Sequence, residues 1–304
     1  NSTVRPSYRI IEGLTPMRTR IDYFVKRHLR SLGDLSGKVV IDVPAGAGIM
    51  SRVLRERGAK VEAYDLFPEL FDVEGMTCRK ADLSKDLPIA SGYADLVVCQ
   101  EAIEHVPNQL KMLRELSRIL KVGGRLVLST PNVSNLRAKL SNFLVESELY
   151  KRLPPNELDA VWLSSGSAEE TYFGHLFLVG IQRLRVLARI AGFRLMRVHP
   201  VKLSGMSLFL GVFYPLIALA SWRAYRATMR KSASTDLARK REVYGEIRRL
   251  NLNPTVLFGK KLFVEFEKEK DPQAMSDVFR ENRDFVMEHV ERQKRLDAEE
   301  EAES

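Results

Sequence analysis

The chain has 304 residues and 45% apolar content, an ordinary globular composition long enough for one large or two modest domains. Two cysteines, Cys78 and Cys99, exclude a disulfide framework, and Cys99 in the run Leu96-Val97-Val98-Cys99 reads as a buried free thiol. The net charge of +9 is spread over Arg18–Arg30 and Arg223–Arg249 and opposed by an acidic tail, Asp297–Glu303; nucleic acid, an anionic membrane, a phosphate-bearing substrate and solvated helix faces each account for such an excess.

In chain order, residues 1–16 are polar and irregular, and Arg18–Leu32 is helical in spacing with Ile21, Phe24, Val25 and Leu29 on one side. Gly33 and Gly37 bracket the turn into an alternating series: strand 38–43, helix 49–57, strand 60–65, short strand 76–81, strand 94–100, helix 107–120 and strand 125–130. Strands alternating with helices over this length predict a doubly wound parallel α/β sheet. Gly123-Gly124 reads as the stop of the helix before the fifth strand. After Thr130-Pro131-Asn132 the rhythm breaks into a helical piece, Leu136–Leu144, a Pro-Pro turn and the stretch Ser164–Ser167, a lid or substrate-binding insertion rather than sheet. Helix Val179–Ala191 follows, then strands Arg194–Val201 and Lys261–Phe266, separated by an insertion far longer than an ordinary hairpin loop. Asp271–Ser304 reads as a charged helix fraying into the acidic tail. The expected divisions are an N-terminal helical segment (1–36), a cofactor-binding half (37–132), a lid and sixth strand (133–202), an apolar and basic helical insertion (203–254), a last strand (255–270) and a C-terminal helix with its tail (271–304). No secretory signal pattern opens the sequence, and the thiols favour a reducing, cytoplasmic compartment.

The run Val39-Val40-Ile41-Asp42-Val43-Pro44-Ala45-Gly46-Ala47-Gly48 ends an apolar strand in an acid and turns through two glycines into a helix. Such a turn lets backbone N–H groups approach a cofactor closely. Asp65 closes the next apolar run, about 20 residues on, where a carboxylate accepts hydrogen bonds from both hydroxyls of a ribose.

With Lys80-Ala81-Asp82-Leu83 and Asp95–Val106 added, the chain resembles class I S-adenosylmethionine-dependent methyltransferases over residues 38–132, with 173–201 and 255–268 completing the expected sheet. The resemblance implies a Rossmann-like doubly wound sheet with helical insertions, and S-adenosyl-L-methionine as cofactor. It carries the glycine motif onto Asp42, Pro44, Gly46 and Gly48, and the ribose acid onto Asp65, with Leu66 beside it. The adenine contacts fall on Asp82 and Leu83, and the rest of the pocket lining on Gln100 and Glu101. These residue types suit the task. Gly46 and Gly48 leave room for the amino-acid end of the cofactor, Asp42 orients its ammonium, Asp82 accepts from the adenine amino group and Leu83 offers an apolar face. Pro44 stands where the family often has glycine; it fixes φ at about −65° and removes an N–H, so a positive φ is excluded there. The loop is not G-x-G-x-x-G, which disfavours a dehydrogenase.

Gln100-Glu101-Ala102-Ile103-Glu104-His105-Val106 resembles the E-x-x-E-H-V motif of ubiquinone-biosynthesis O-methyltransferases and many bacterial relatives. By that resemblance His105 faces the acceptor, with Glu104 beside it; a neutral imidazole there takes a proton from a hydroxyl. The alternative is that Glu104 and His105 cap the helix beginning near Pro107. His175, in Phe173-Gly174-His175, is the second acceptor-site candidate, against the reading of a satisfied core histidine. Small-RNA 3′-end 2′-O-methyltransferases hold a divalent ion with a similar cluster, but this chain lacks their second histidine close after His105, and no metal is assigned.

From Leu203 to Trp222 there are 20 residues without a charge, followed by Arg223, Arg226, Arg230 and Lys231, with Trp222 and Tyr225 at the boundary. A single crossing would place the last strand across a bilayer from its sheet, so residues 203–231 read as a peripheral, interfacial segment; packing on the protein or a homodimer interface is the alternative. The basic stretch Arg239-Lys240-Arg241 with Arg248-Arg249 adds to the positive surface. Ser129–Leu144 resembles bacterial methyltransferases associated with envelope-polysaccharide synthesis, including O-antigen. The expected function is O-methylation of a lipid-linked or envelope glycan at the inner face of the inner membrane. The alternatives are a quinone-type phenol, RNA 2′-O-methylation with nucleic acid disfavoured, and a non-catalytic cofactor-binding regulator.

Overall fold

The computed structural model describes residues 21–164, 167–231, 237–275 and 290–294. The expectations for residues 1–16, for the Ser/Gly stretch at 165–166 and for most of the C-terminal helix and tail lie outside these residues.

Five strands, β1 (Val39–Asp42), β2 (Lys60–Asp65), β3 (Cys78–Lys80), β4 (Ala94–Gln100) and β5 (Leu120–Pro131), pair in parallel. Strands β8 (Phe193–Val198) and β9 (Lys261–Lys268) complete a seven-stranded sheet of order β3-β2-β1-β4-β5-β9-β8, with β9 antiparallel to both neighbours. The last strand thus enters between β5 and β8, and the sheet reverses at β1/β4. In open α/β sheets a ligand lies at the carboxyl ends of the strands beside such a reversal.

The strands are buried on both faces because helices cover both, which explains their continuous apolar runs. Helices α1 (Ile21–Ser31) and α2 (Ile49–Glu56) lie on one face, where Val25, Leu29, Val53 and Leu54 meet Val40, Val98, Val127 and Phe263. Helices α3 (Gln109–Ile119) and α5 (Ile181–Ile190) supply the other face, where Met112, Leu116, Leu184 and Ala188 meet Ile41, Val97, Leu128 and Val264. Between them in sequence comes α4 (Leu136–Val145).

Two local readings differ from the observed structure. Helix α3 ends at Ile119 and β5 begins at once, so Gly123-Gly124 lies inside the strand, at a register irregularity between Ala94 and Leu96 on β4. The insertion after β5 does contain sheet: β6 (Val161–Ser164) and β7 (Ser167–Phe173) form an antiparallel hairpin. A two-stranded ribbon with little periodic apolar signal is hard to separate from a loop.

Between β8 and β9 the chain makes a helical excursion: α6 (Gly205–Phe209), a 3₁₀ turn (Leu210–Phe213), α7 (Tyr214–Lys231), α8 (Leu237–Asn251) and α9 (Pro254–Phe258). Its two ends are clipped together by the bridge of Leu203 with Gly259 and by Lys260 N–H donating to the Lys202 carbonyl at 2.9 Å. Buried Asn132 holds the returning chain, its Nδ2 donating to the carbonyls of Val256 and Gly259, both at 2.8 Å.

Candidate active site

The turn after β1 has φ of 51° at Gly46 and 79° at Gly48, both in the left-handed region. Pro44 follows a cis peptide bond, two residues before the first of these positions. Gly48 is also packed: a Cβ there would lie 2.3 Å from Val73 Cγ2 and 2.6 Å from Phe71 Cε2. Around Gly46 nothing lies within 4 Å of a Cβ position, so its backbone faces open space. Gly46 N–H donates to Asp65 Oδ2 at 2.8 Å, and Phe67 N–H donates to Asp65 Oδ1 at 2.9 Å. The acid closing β2, with half-buried Leu66 next in the chain, therefore sits directly against the glycine turn.

Asp42 is buried and accepts from Ser51 Oγ at 2.6 Å, which ties β1 to the first turn of α2. Burial raises its carboxyl to about 7. After β3, Asp82 Oδ1 accepts from Ser84 N and Ser84 Oγ at 2.9 and 2.6 Å, which shapes that loop, and Leu83 packs against the core. At the end of β4, Gln100 Oε1 is buried without a hydrogen-bond partner. An open glycine backbone, a carboxylate at the end of β2, the Asp82-Leu83 pair and a buried acceptor left unpaired fit a nucleoside cofactor lying across the sheet reversal. When bound, S-adenosylmethionine supplies an electrophilic methyl on an already activated leaving group.

Beyond Gln100 the chain bends sharply. Glu101 has φ of 48°, uncommon for a residue with a Cβ, and strain of this kind clusters at functional sites. Its backbone is held by the Ser129 carbonyl at 2.9 Å, and its carboxylate by Ser129 Oγ at 3.1 Å and by Lys261 Nζ. Glu104 is fully buried; Oε2 accepts from Thr130 Oγ1 at 2.9 Å and Oε1 has no partner. Burial, with the Glu101 carboxylate nearby, raises its carboxyl well above the ordinary range.

His105 Nδ1 donates to the Phe173 carbonyl at 2.7 Å, since a carbonyl only accepts. That bond fixes the tautomer and leaves Nε2 as the basic nitrogen. Burial also lowers the His105 pKa, so the ring is neutral at physiological pH. His175 packs edge-on to it with ring centroids 5.1 Å apart, and its Nδ1 lies 3.5 Å from Glu148 Oε1. Gln109 Nε2 links the loops by donating to the carbonyls of Ile103 and Phe177 at 3.0 and 2.5 Å. The cap of α3 is Asn108, whose Oδ1 accepts from Lys111 N–H at 2.9 Å, so Glu104 and His105 are not its capping residues.

Glu104, His105 and His175 thus converge, with one donor atom from each inside a 4.8 Å group. Two imidazoles and a carboxylate suit a proton-transfer site, and they are also a donor set that a borderline divalent ion accepts. The sequence did not single out Lys261, Glu148 or the Phe173 carbonyl. Thr130 was visible only as part of the Ser129–Asn132 run. Glu148 carries no local signal at all, because its role comes from contact with His175 across 27 positions.

A glycine turn after β1, acids closing β2 and following β3, and an acid–histidine cluster at the exit of β4 define a class I S-adenosylmethionine-dependent methyltransferase. The chain belongs to the methyltransferase-domain family, whose match covers residues 17–198. It is 34% identical over 154 residues to the ubiquinone biosynthesis O-methyltransferase of Xanthomonas oryzae, covering 48% of this chain and 61% of the relative. A relative of the same description from Xylella fastidiosa is 34% identical over 131 residues, 40% of this chain and 50% of its own length. The chain therefore spans between half and about three fifths of the length of these curated relatives. Solved S-adenosylmethionine-dependent methyltransferases from Mesorhizobium loti and Archaeoglobus fulgidus match at 17% and 16% identity with TM-scores of 0.45 and 0.46, covering 80% and 81% of this chain and 95% and 94% of theirs.

Proposed function

We propose that the chain methylates a hydroxyl on a membrane-proximal acceptor, such as a lipid-linked or envelope glycan, with S-adenosylmethionine as methyl donor. The observation that carries the chemical half of this reading is the His105 ring, neutral and fixed by the Phe173 carbonyl beside His175 and buried Glu104. Gly46, Gly48, Asp65, Leu66, Asp82, Leu83 and Gln100 bind and orient the cofactor, while Asp42 and Pro44 shape its loop. His105 Nε2 accepts the hydroxyl proton. His175, beside the His105 ring, helps line the acceptor pocket, and Glu104 supports the loop through Thr130. Nearness to a membrane is supported by the exposed apolar excursion between β8 and β9.

A second reading, a quinone-type phenol as acceptor, is favoured by the printed names of the relatives. A phenol is a stronger acid than a sugar hydroxyl and needs a less demanding base, so the same histidines serve either. The deciding experiment incubates the purified chain with labelled S-adenosylmethionine and separate acceptor fractions: lipid-linked glycans, catechol-type phenols and RNA. Label is expected in the glycan-lipid fraction. Label confined to phenols moves the assignment to the second reading. Absence of label from every fraction despite cofactor binding leaves the non-catalytic regulator.

A further inference from the structure

The most unusual surface of the molecule is the apolar half of the excursion. Gly205–Arg230 is long and apolar enough to cross a membrane, yet only 6% of its most apolar stretch is buried. Phe209, Val212 and Leu216 are 75%, 72% and 62% exposed, and they recur at intervals of three and four, a single helical stripe. Phe213 and Leu219 flank it, half exposed. Helix α4 packs against α6 and the 3₁₀ turn and adds Phe143, 84% exposed, and Leu144 beside them. Soluble monomers rarely leave so much contiguous apolar surface uncovered.

We propose that this face is a monotopic docking surface for a bilayer rich in anionic lipid. The choice of occupant rests on charge and on topology. No acidic residue occurs between Lys202 and Asp236, while Arg223, Arg226 and Arg230 are all exposed on α7. Trp222 and Tyr225 stand where the apolar half meets the basic half, and the Arg226 guanidinium lies over the Trp222 ring at 4.8 Å. Apolar side chains, then aromatics, then bases is the order in which acyl chains, the interface and anionic head groups receive an in-plane helix. Both ends of the excursion are clipped to each other where it leaves β8 and enters β9, and charged α8 packs against α7. The hairpin cannot thread a bilayer, so the helix lies in its surface.

The surface is coupled to the acceptor pocket. Ser207 Oγ, in α6, accepts from Arg137 N–H at 3.1 Å on α4, and α4 ends three residues before Glu148, the partner of His175. An open groove of mixed character, lined by Asn142, Phe143, Leu144, Val145, Glu146 and Pro154, lies beside that end of α4. Helix α4 is thus the element shared by the apolar face and the Glu148–His175 contact. The proposal deepens the acceptor reading and rests on it for its purpose, not for its geometry.

The test is flotation of the full chain with phosphatidylcholine vesicles, with and without about 30 mol % phosphatidylglycerol. Binding is expected to the anionic vesicles and to fall at least roughly tenfold in the Phe209→Glu/Leu216→Glu and Arg223→Glu/Arg226→Glu double variants. Circular dichroism, thermal unfolding and S-adenosylmethionine binding of both variants are expected to match the wild type, which separates lost docking from lost folding. The proposal is overturned if the wild type does not float. It is equally overturned if well-folded variants float like the wild type, or if light scattering shows a dimer that these substitutions dissociate while no vesicle binding occurs. Loss of methyl transfer with flotation intact counts against the acceptor reading alone.

Discussion

His105 is held by a carbonyl 68 residues away in sequence, that of Phe173, so the base role proposed for it depends on the ring being held as well as being present. Replacing it by Gln is expected to lower kcat by about 10²–10⁴-fold, the usual contribution of a general base, while calorimetry shows S-adenosylmethionine affinity unchanged. Gly48 is a different kind of residue, excluded from substitution by backbone and packing at once. Gly48→Ala places a Cβ against Val73 and Phe71 at a φ of 79° and is expected to cost about 1–3 kcal/mol in denaturant unfolding. On the opposite face of the sheet from α3, His28 of α1 packs against His199 with ring centroids 4.2 Å apart and tilted, and its Nε2 lies 3.7 Å from Glu265 Oε2. Burial and the neighbouring His199 lower the His28 pKa to about 4, against 6.5 for the free group. Between those values the unfolded chain holds the extra proton, so stability falls as pH drops from about 6.5 toward about 4. Glu265, held below the ordinary carboxylate range by the hydrogen bond from His199, adds a loss of the same sign at lower pH. His28→Gln is expected to narrow the gap between denaturation midpoints measured at about pH 7 and about pH 5.

At the scale of elements, the strands β1, β2, β4 and β5 were readable from their apolar runs, and α2 and α5 from helical spacing. These patterns are local and repeat every two or every 3.6 residues. Hairpin β6–β7 was not readable, and neither was the long start of β5 through its glycines, because pairing with a partner strand decides both. Asn135 marks where local and tertiary order meet. Its Oδ1 caps α4 by accepting from Ala138 N–H at 2.8 Å, while its Nδ2 donates to the carbonyls of Asn132 and Gly259 at 2.8 and 3.0 Å. The side chain thus anchors α4 and the returning excursion together. Asn135→Ala removes a cap and strands buried carbonyls, and about 2–4 kcal/mol of stability is expected to disappear in urea unfolding.

At the scale of the whole molecule, the proposed cofactor crevice draws on β1, β2, β4 and the loop after β3, so occupancy there would tie four segments into one unit. A ligand that binds only the native state stabilises it by about 2.7 kcal/mol at a hundred times its Kd. S-adenosylmethionine is accordingly expected to raise Tm by several degrees in differential scanning fluorimetry. Asp65→Asn keeps an acceptor for Gly46 but loses the charge, and that thermal shift is expected to shrink, with affinity reduced about 10–100-fold.

By itself the sequence determined the order of the parallel strands and the helices between them, the family resemblance and the candidate cofactor residues, since each of these lies within a few positions of a strand end and follows a short motif. The carboxylate cluster after β4 was legible for the same reason. Tertiary structure alone decided that Glu104 and His105 meet His175, about 70 positions on, and that Lys261 and Glu148 join the site, because those contacts are made by folding and leave no periodic trace. It also decided the character of the segment after Leu203. An apolar run reads identically whether it is buried or left bare, and only the packing of the neighbouring elements determines how much of it meets solvent.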